Sequence, residues 1–260
     1  MSRRRLLIEA ARPPSARHRY GSHRSQRADL HVPLGKGPHP VAIVIHGGYW
    51  QAKYGKRVTR PLAHDLARRG WAAWNIEYRR VGRRQGGGWP TTFDDVAAAI
   101  DHLAELDAAL DLDRVIAVGH SSGGQLALWA AARPQLSDGL PGASPAVRVG
   151  RVAAMAPVVD LVKTYRSLRG GIVQTLMGGS VEEHPDRYDA CDPVRQAPLP
   201  LPVLIVHPTH DRTVPVQRSR DYAHVAREAG GETQLVESPG GHLAALDPRS
   251  VSWARVTDWL

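Results

Sequence analysis

Apolar positions along this chain fall into short continuous runs that alternate with stretches of helical period. Val41 to Ile45 is an unbroken apolar run of strand length, stopped by Gly47 and Gly48. The spacing from Pro61 to Arg69 predicts a helix ended by Gly70, and Trp71 to Tyr78 predicts the next strand. After the glycines at 86–88, Thr92 with Asp95 three residues on predicts an N-terminal cap for a helix reaching Leu106. Val115 to Val118 reads as a buried strand and Gln125 to Arg133 as the helix after it. The second half repeats the alternation, with strands at Val152 to Ala156, Val203 to Val206 and Thr233 to Glu237, and helices at Gln217 to Ala229 and Arg249 to Leu260. Continuous apolar strands separated by helices are buried on both faces, so the pattern predicts an α/β class: a mostly parallel sheet with helices on both faces. Between Val158 and Pro202 the periodicity fails around two glycine pairs, which predicts a short cap-like excursion.

Length and composition leave this picture standing. A chain of 260 residues is of single-domain size, and 42% hydrophobic with 23% charged residues is ordinary globular usage. No run approaches the 18 or so apolar residues of a membrane span, which argues against a membrane partner. A net charge of +9 raises the question of a phosphate-bearing partner. Its location answers: residues 1–30 hold eight arginines against Glu9 and Asp29, leaving only about +3 for the rest. No basic face is then expected on the body, and nucleic acid is not an expected partner. Residues 1–30 are expected to form a basic, disordered arm, with one domain over residues 31–260.

Ser2-Arg3-Arg4-Arg5-Leu6-Leu7 resembles the core of a twin-arginine export signal, but Glu9, Arg12, Pro13 and Pro14 interrupt the apolar stretch that should follow. The single cysteine, Cys191, permits no internal disulfide and fits a reducing compartment, so a cytoplasmic location is expected. Nothing in the pattern signals an oligomeric state.

The candidate chemistry sits where strands end. Gly119-His120-Ser121-Ser122-Gly123 lies between an apolar strand and a helical run, the setting of a nucleophile elbow: the glycines permit a sharp turn that lifts the Ser121 hydroxyl into a cleft. A serine at its ordinary pKa needs a histidine base and a carboxylate to orient it. After such an elbow the acid and then the base follow in chain order. Asp211, after the strand ending at Val206, and His242, after the strand ending at Glu237, occupy those places. Asp160 also follows a strand and is a rival acid. His207 and His210 break the chain order and read as a strand-end and a loop histidine. No cluster completes a metal site around them, so neither metal nor cofactor is expected. Cys191 has no elbow and reads as a passive thiol. Gly47 and Gly48, with the amide of Ser122, are the expected donors to a developing oxyanion. Tyr49 and Trp50 follow them and are expected along an acyl pocket suited to flat substrates, the other reading of Trp50 being a core residue.

Together, the Gly119–Gly124 run, His46-Gly47-Gly48, Asp211-x-x-Val214-Pro215 and His242 resemble the α/β-hydrolase superfamily in its esterase and prolyl-oligopeptidase-like branch. His46-Gly47-Gly48-Tyr49-Trp50-Gln51 is similar to the loop of arylformamidases, which cleave N-formylkynurenine without a cofactor. Asn75 to Gly82 resembles uncharacterised bacterial hydrolases. The resemblance implies an α/β-hydrolase fold and cleavage of a small-molecule ester or amide through an acyl-enzyme. Arylformamidase, small peptidase and a non-catalytic binding protein on the same scaffold are the alternatives.

Overall fold

The computed structural model describes residues 13–260. Among these residues eight strands form one sheet: β1 (Ala16–Arg19), β2 (Arg27–His31), β3 (His39–Ile45), β4 (Ala72–Ile76), β5 (Leu110–His120), β6 (Arg151–Met155), β7 (Val203–Pro208) and β8 (Thr233–Ser238). Their order is β1-β2-β4-β3-β5-β6-β7-β8. The pairs β1/β2 and β2/β4 are antiparallel and every other pair is parallel. This is the mostly parallel sheet expected from the pattern of apolar runs.

Period-two geometry divides the central strands between two cores. Val41, Ile43 and Ile45 of β3 join one apolar cluster, while Ala42 and Val44 join the other. On the second side lie α1 (Arg60–Arg68), through Leu62, Ala63 and Leu66, and α8 (Val251–Trp259), through Trp253 and Val256. The first side is covered by α2 (Thr91–Asp101), α3 (Ser122–Ala132) and α7 (Val216–Glu228). Every residue of α3 is buried, which is why its sequence is apolar or small all round except for Gln125, whose amide is hydrogen-bonded to Trp50 and to the Cys191 carbonyl. The excursion after β6 is folded into three short helices, α4 (Leu161–Ser167), α5 (Gly171–Met177) and α6 (Pro185–Cys191), whose inner residues Leu161, Val173, Leu176 and Tyr188 extend the first core.

Two expectations are corrected. Within the expected arm, Ala16–Arg19 forms β1, and the boundary drawn at 30/31 falls inside β2; residues 1–12 lie outside the described residues. The strand β1 reads Ala-Arg-His-Arg and has no fully buried position, so it offers no apolar alternation to detect. It is held instead by pairing and by polar ties: Tyr20 donates its hydroxyl to the Glu77 carbonyl, and Gln26 Nε2 donates to Asp95 Oδ1 at 2.8 Å. Thr92 is not a helix cap but lies inside α2. Its hydroxyl donates to the Arg79 carbonyl at 2.7 Å and accepts from the Gly88 amide at 2.9 Å. Asp95 accepts from Arg79 Nη2 at 2.6 Å, so the Thr-x-x-Asp spacing fastens the loop after β4 rather than ending a helix.

No helix among the described residues is long and apolar enough to cross a membrane. Leu30 in β2 is 2% exposed and packs in the first core. Leu30→Ala should therefore cost about 2–5 kcal/mol in urea denaturation. An unchanged midpoint would mean that these residues are a solvated arm after all.

Candidate active site

Ser121 stands between the last residue of β5 and the first of α3, with φ 58° and ψ −122°. An L-residue is held in this sparsely populated region only by surroundings that over-determine it, at a cost of about 1–3 kcal/mol. The surroundings are backbone. The Ser121 amide donates to the Met155 carbonyl at 2.9 Å, and its carbonyl accepts from the amides of Gly124, Gln125 and Val158. The turn closes only without side chains nearby: a Cβ on Gly119 would lie 2.1 Å from the Gly123 carbonyl oxygen, and one on Gly123 would lie 2.2 Å from that of Ile45.

The loops after β7 and β8 bring the other two expected residues to the hydroxyl. Ser121 Oγ lies 3.0 Å from His242 Nε2, and His242 Nδ1 donates to Asp211 Oδ2 at 2.6 Å. Asp211 has a fully buried side chain, and burial alone would raise its pKa. Hydrogen bonds from His207 and His242 and from the amides of Val214 and Thr213 outweigh this and hold the carboxylate well below its ordinary range. His207 itself is buried; its Nδ1 accepts from Ser219, while Nε2 donates to the Val214 carbonyl at 2.9 Å and stands 3.4 Å from Asp211 Oδ2. It is a satisfied strand-end histidine, as read from the sequence, and it also braces Asp211.

His120 was missed in the sequence. Its ring lies 4.7 Å from that of His242, centroid to centroid, and its Nε2 donates to the His242 carbonyl at 2.8 Å. Burial, followed by the nearness of His242, lowers its pKa to about 4, so it supports the loop as a neutral ring. Its position inside the elbow motif, beside the serine, was the available signal.

The glycine loop after β3 lies against the serine. A Cβ on Gly47 would meet the His120 carbonyl oxygen at 2.4 Å and Ser121 Cβ at 3.0 Å. Gly48 has φ 115°, open to glycine, and its Cα faces the Tyr54 ring. Ser122 opens α3, where first-turn amides have no intrahelical acceptor. Beneath the loop, His46 Nε2 donates to Glu77 Oε1 at 2.9 Å and Tyr78 donates its hydroxyl to the His46 carbonyl at 2.8 Å. Burial raises the Glu77 pKa, but His46, Arg80 and the Lys56 amide outweigh it and leave the carboxyl below its ordinary value. Glu77 was the second residue missed, although it sits in the Asn75 to Gly82 stretch singled out in the sequence.

Trp50 is corrected. It is fully buried in the first core, with its indole donating to Gln125 Oε1 at 3.1 Å and its amide 3.4 Å from Ser122 Oγ, so it faces no open pocket. The large apolar ring is worth more to the core than to a cleft. Tyr49 is half-buried and donates to the Thr213 carbonyl at 3.4 Å, near Asp211. The rival residues are occupied elsewhere. Asp160 caps α4, accepting from the Lys163 amide at 2.6 Å, His210 is exposed beside Thr209, and burial pushes the Cys191 thiol well up. Among the described residues, no three His, Cys, Asp or Glu side chains converge to hold a metal ion.

A family model described as BD-FAE matches residues 28–225, most of the chain. The chain belongs to the BD-FAE family. Among curated relatives, Esterase LipQ of Mycobacterium tuberculosis is 28% identical over 218 residues, covering 79% of this chain and 50% of LipQ. The isoprenylcysteine alpha-carbonyl methylesterase ICME of Arabidopsis thaliana is 25% identical over 232 residues, covering 84% of this chain and 53% of the relative. The chain spans about half the length of these relatives. Among solved structures, a truncated carbohydrate esterase from gut microbiota superposes with a TM-score of 0.82 at 23% identity, covering 95% of this chain and 98% of that one. The butyrate-bound esterase Est2 of Thermogutta terrifontis gives 0.75 at 22% identity, covering 95% and 92%. The BD-FAE domain thus has the α/β-hydrolase fold.

Because the folded Asp211 titrates below its ordinary value of 3.8, its ionised form stabilises the protein throughout the range above that value. The contribution is lost as pH falls through the depressed value. Asp211→Asn should lower stability at pH 7 by about 1–3 kcal/mol, with the gap to the parent protein closing as pH falls below 3.8. A gap that stays constant into that acid range would contradict the hydrogen-bonded carboxylate.

Proposed function

We propose that this chain is a serine carboxylesterase that cleaves small-molecule esters through an acyl-enzyme. The observation that carries the reading is the continuous contact from Asp211 through His242 to Ser121, at 2.6 and 3.0 Å. His242 Nε2 takes the proton as Ser121 Oγ attacks the ester carbonyl carbon, and ionised Asp211 stabilises the imidazolium that forms. The carbonyl oxygen then becomes an oxyanion facing the amides of Ser122 and of the Gly47–Gly48 turn. Collapse of the tetrahedral intermediate breaks the bond to the alcohol, which leaves with the proton from His242. Water, deprotonated by the same histidine, releases the carboxylic acid. Tyr49, beside the loop of the acid, forms one wall of the acyl site.

The names of the curated relatives, esterases and a methylesterase, support ester over amide chemistry. Est2 with bound butyrate and a tributyrin phosphonate complex of an esterase from a Lactobacillus support short acyl chains as first substrates. The formamidase likeness draws only on residues 46–51. The lone, buried Cys191 is consistent with a cytoplasmic setting.

The test is turnover of p-nitrophenyl butyrate beside a long-chain p-nitrophenyl ester, N-formylkynurenine and an aminoacyl amide. The short ester should be the best substrate, and Ser121→Ala should lower kcat by about five to six orders of magnitude. Retention of more than about one hundredth of the activity in the variant would sink the serine mechanism. Faster turnover of N-formylkynurenine or the amide would displace the ester reading.

A further inference from the structure

Outside the Ser121 cleft, a cavity of ≈ 720 Å³ opens between the β1–β2 edge of the sheet and the segment after the glycine loop, residues 52–60. Eight cationic side chains line it against two carboxylates, Asp29 and Glu77. Both acids are already committed. Asp29 is buried and faces the Lys56 ammonium, with Arg60 Nη2 at 3.8 Å and Arg17 Nε at 4.0 Å, while Glu77 is taken by His46 and Arg80. The guanidinium groups of Arg19, Arg27 and Arg57 have no hydrogen-bond or ion-pair partner among the described residues.

Strand register sharpens the imbalance. Arg19 stands directly opposite Arg27 in the antiparallel β1/β2 pair, and Arg17 stands opposite Asp29 on the same face. Like charges directly opposite on neighbouring strands destabilise a sheet. Surface arginines with no role in the fold are ordinarily free to point away from one another into water. Here they are gathered with the largely buried Lys56 around one concavity of small-molecule size.

We propose that this cavity is a second, non-catalytic site that binds a small oxyanion of the phosphate class carrying at least two negative charges. Guanidinium forks match such oxygens two at a time, and a recessed site strengthens each charge-assisted bond. Its lining includes neither Ser121 nor His242, so the ligand sits behind the oxyanion loop. The two sites share a wall, through Tyr54 packed on Gly48 and through Glu77, which holds His46 on one side and borders the cavity on the other.

The experiment is calorimetric titration of the full chain with inorganic pyrophosphate, with inorganic phosphate and acetate run alongside. It does not depend on the esterase reading, since binding is read without turnover. Saturable one-to-one binding of pyrophosphate is expected, tighter than phosphate and absent for acetate, and weakening as salt is raised. Arg27→Glu should weaken it about tenfold or more. The same exchange replaces a like-charge pair by Arg19 and Glu, so the ligand-free melting temperature should hold or rise, which separates lost binding from lost folding. Arg148→Glu, an exposed charge reversal outside the cavity, should leave binding unchanged. Absence of saturable binding, acetate binding equal to pyrophosphate, or equal losses in Arg27→Glu and Arg148→Glu would overturn the proposal.

Discussion

One strained residue sets the terms for this molecule. Holding Ser121 at φ 58° and ψ −122° requires a strand to end and a buried helix to begin within one residue, with the start of α3 and the segment from Met155 to Val158 supplying the restraints. Met155 at the end of β6 fixes its amide, and the start of α3 together with Val158 fixes its carbonyl. Gly47, Gly119 and Gly123 are glycine because another atom already occupies the place of a side chain. The parallel core of the sheet, β3, β5 and β6, is therefore the frame of the elbow as well as a source of apolar burial, and an error in its register would move the hydroxyl.

Around that fixed point the ionisable groups have separated duties. Asp211 is kept charged by four donors, two of them backbone amides that do not titrate. His120 is kept neutral by burial and serves only as a donor to the backbone of its neighbour. His242 alone combines a partly exposed ring with contacts to both a hydroxyl and a carboxylate. Glu77 does for His46 what Asp211 does for His242, anchoring a histidine so that the backbone attached to it cannot drift. Two carboxylate–histidine pairs thus flank one serine, and only one of them reaches it.

The central strands and the three residues of the proposed proton path were legible because each follows from a local rule. Continuous apolar runs give β3, β5, β6 and β7, and glycine-flanked Ser121 followed by Asp211 and His242 after successive strands gives the path. What stayed hidden depends on partners distant in sequence. The strand β1 earns its place by pairing with β2, which no window over its four residues shows. Thr92 and Asp95 satisfy a capping rule but are bonded to Arg79 and Gly88 instead. Trp50 shares a loop with the site yet turns inward to Gln125, a choice fixed by α3 and not by its neighbours. Net charge misled in a similar way, because arginines counted as a solvated arm are brought by β1 and β2 to one wall of a cavity.

The central claim, that this backbone strain presents an activated serine, is tested most directly by intact-protein and peptide mass spectrometry after exposure to a fluorophosphonate. One adduct per chain, confined to the peptide carrying Ser121 and slowed when His242 is replaced by Ala, is the predicted result. An unlabelled folded protein, or an adduct elsewhere that persists in Ser121→Ala, would contradict it.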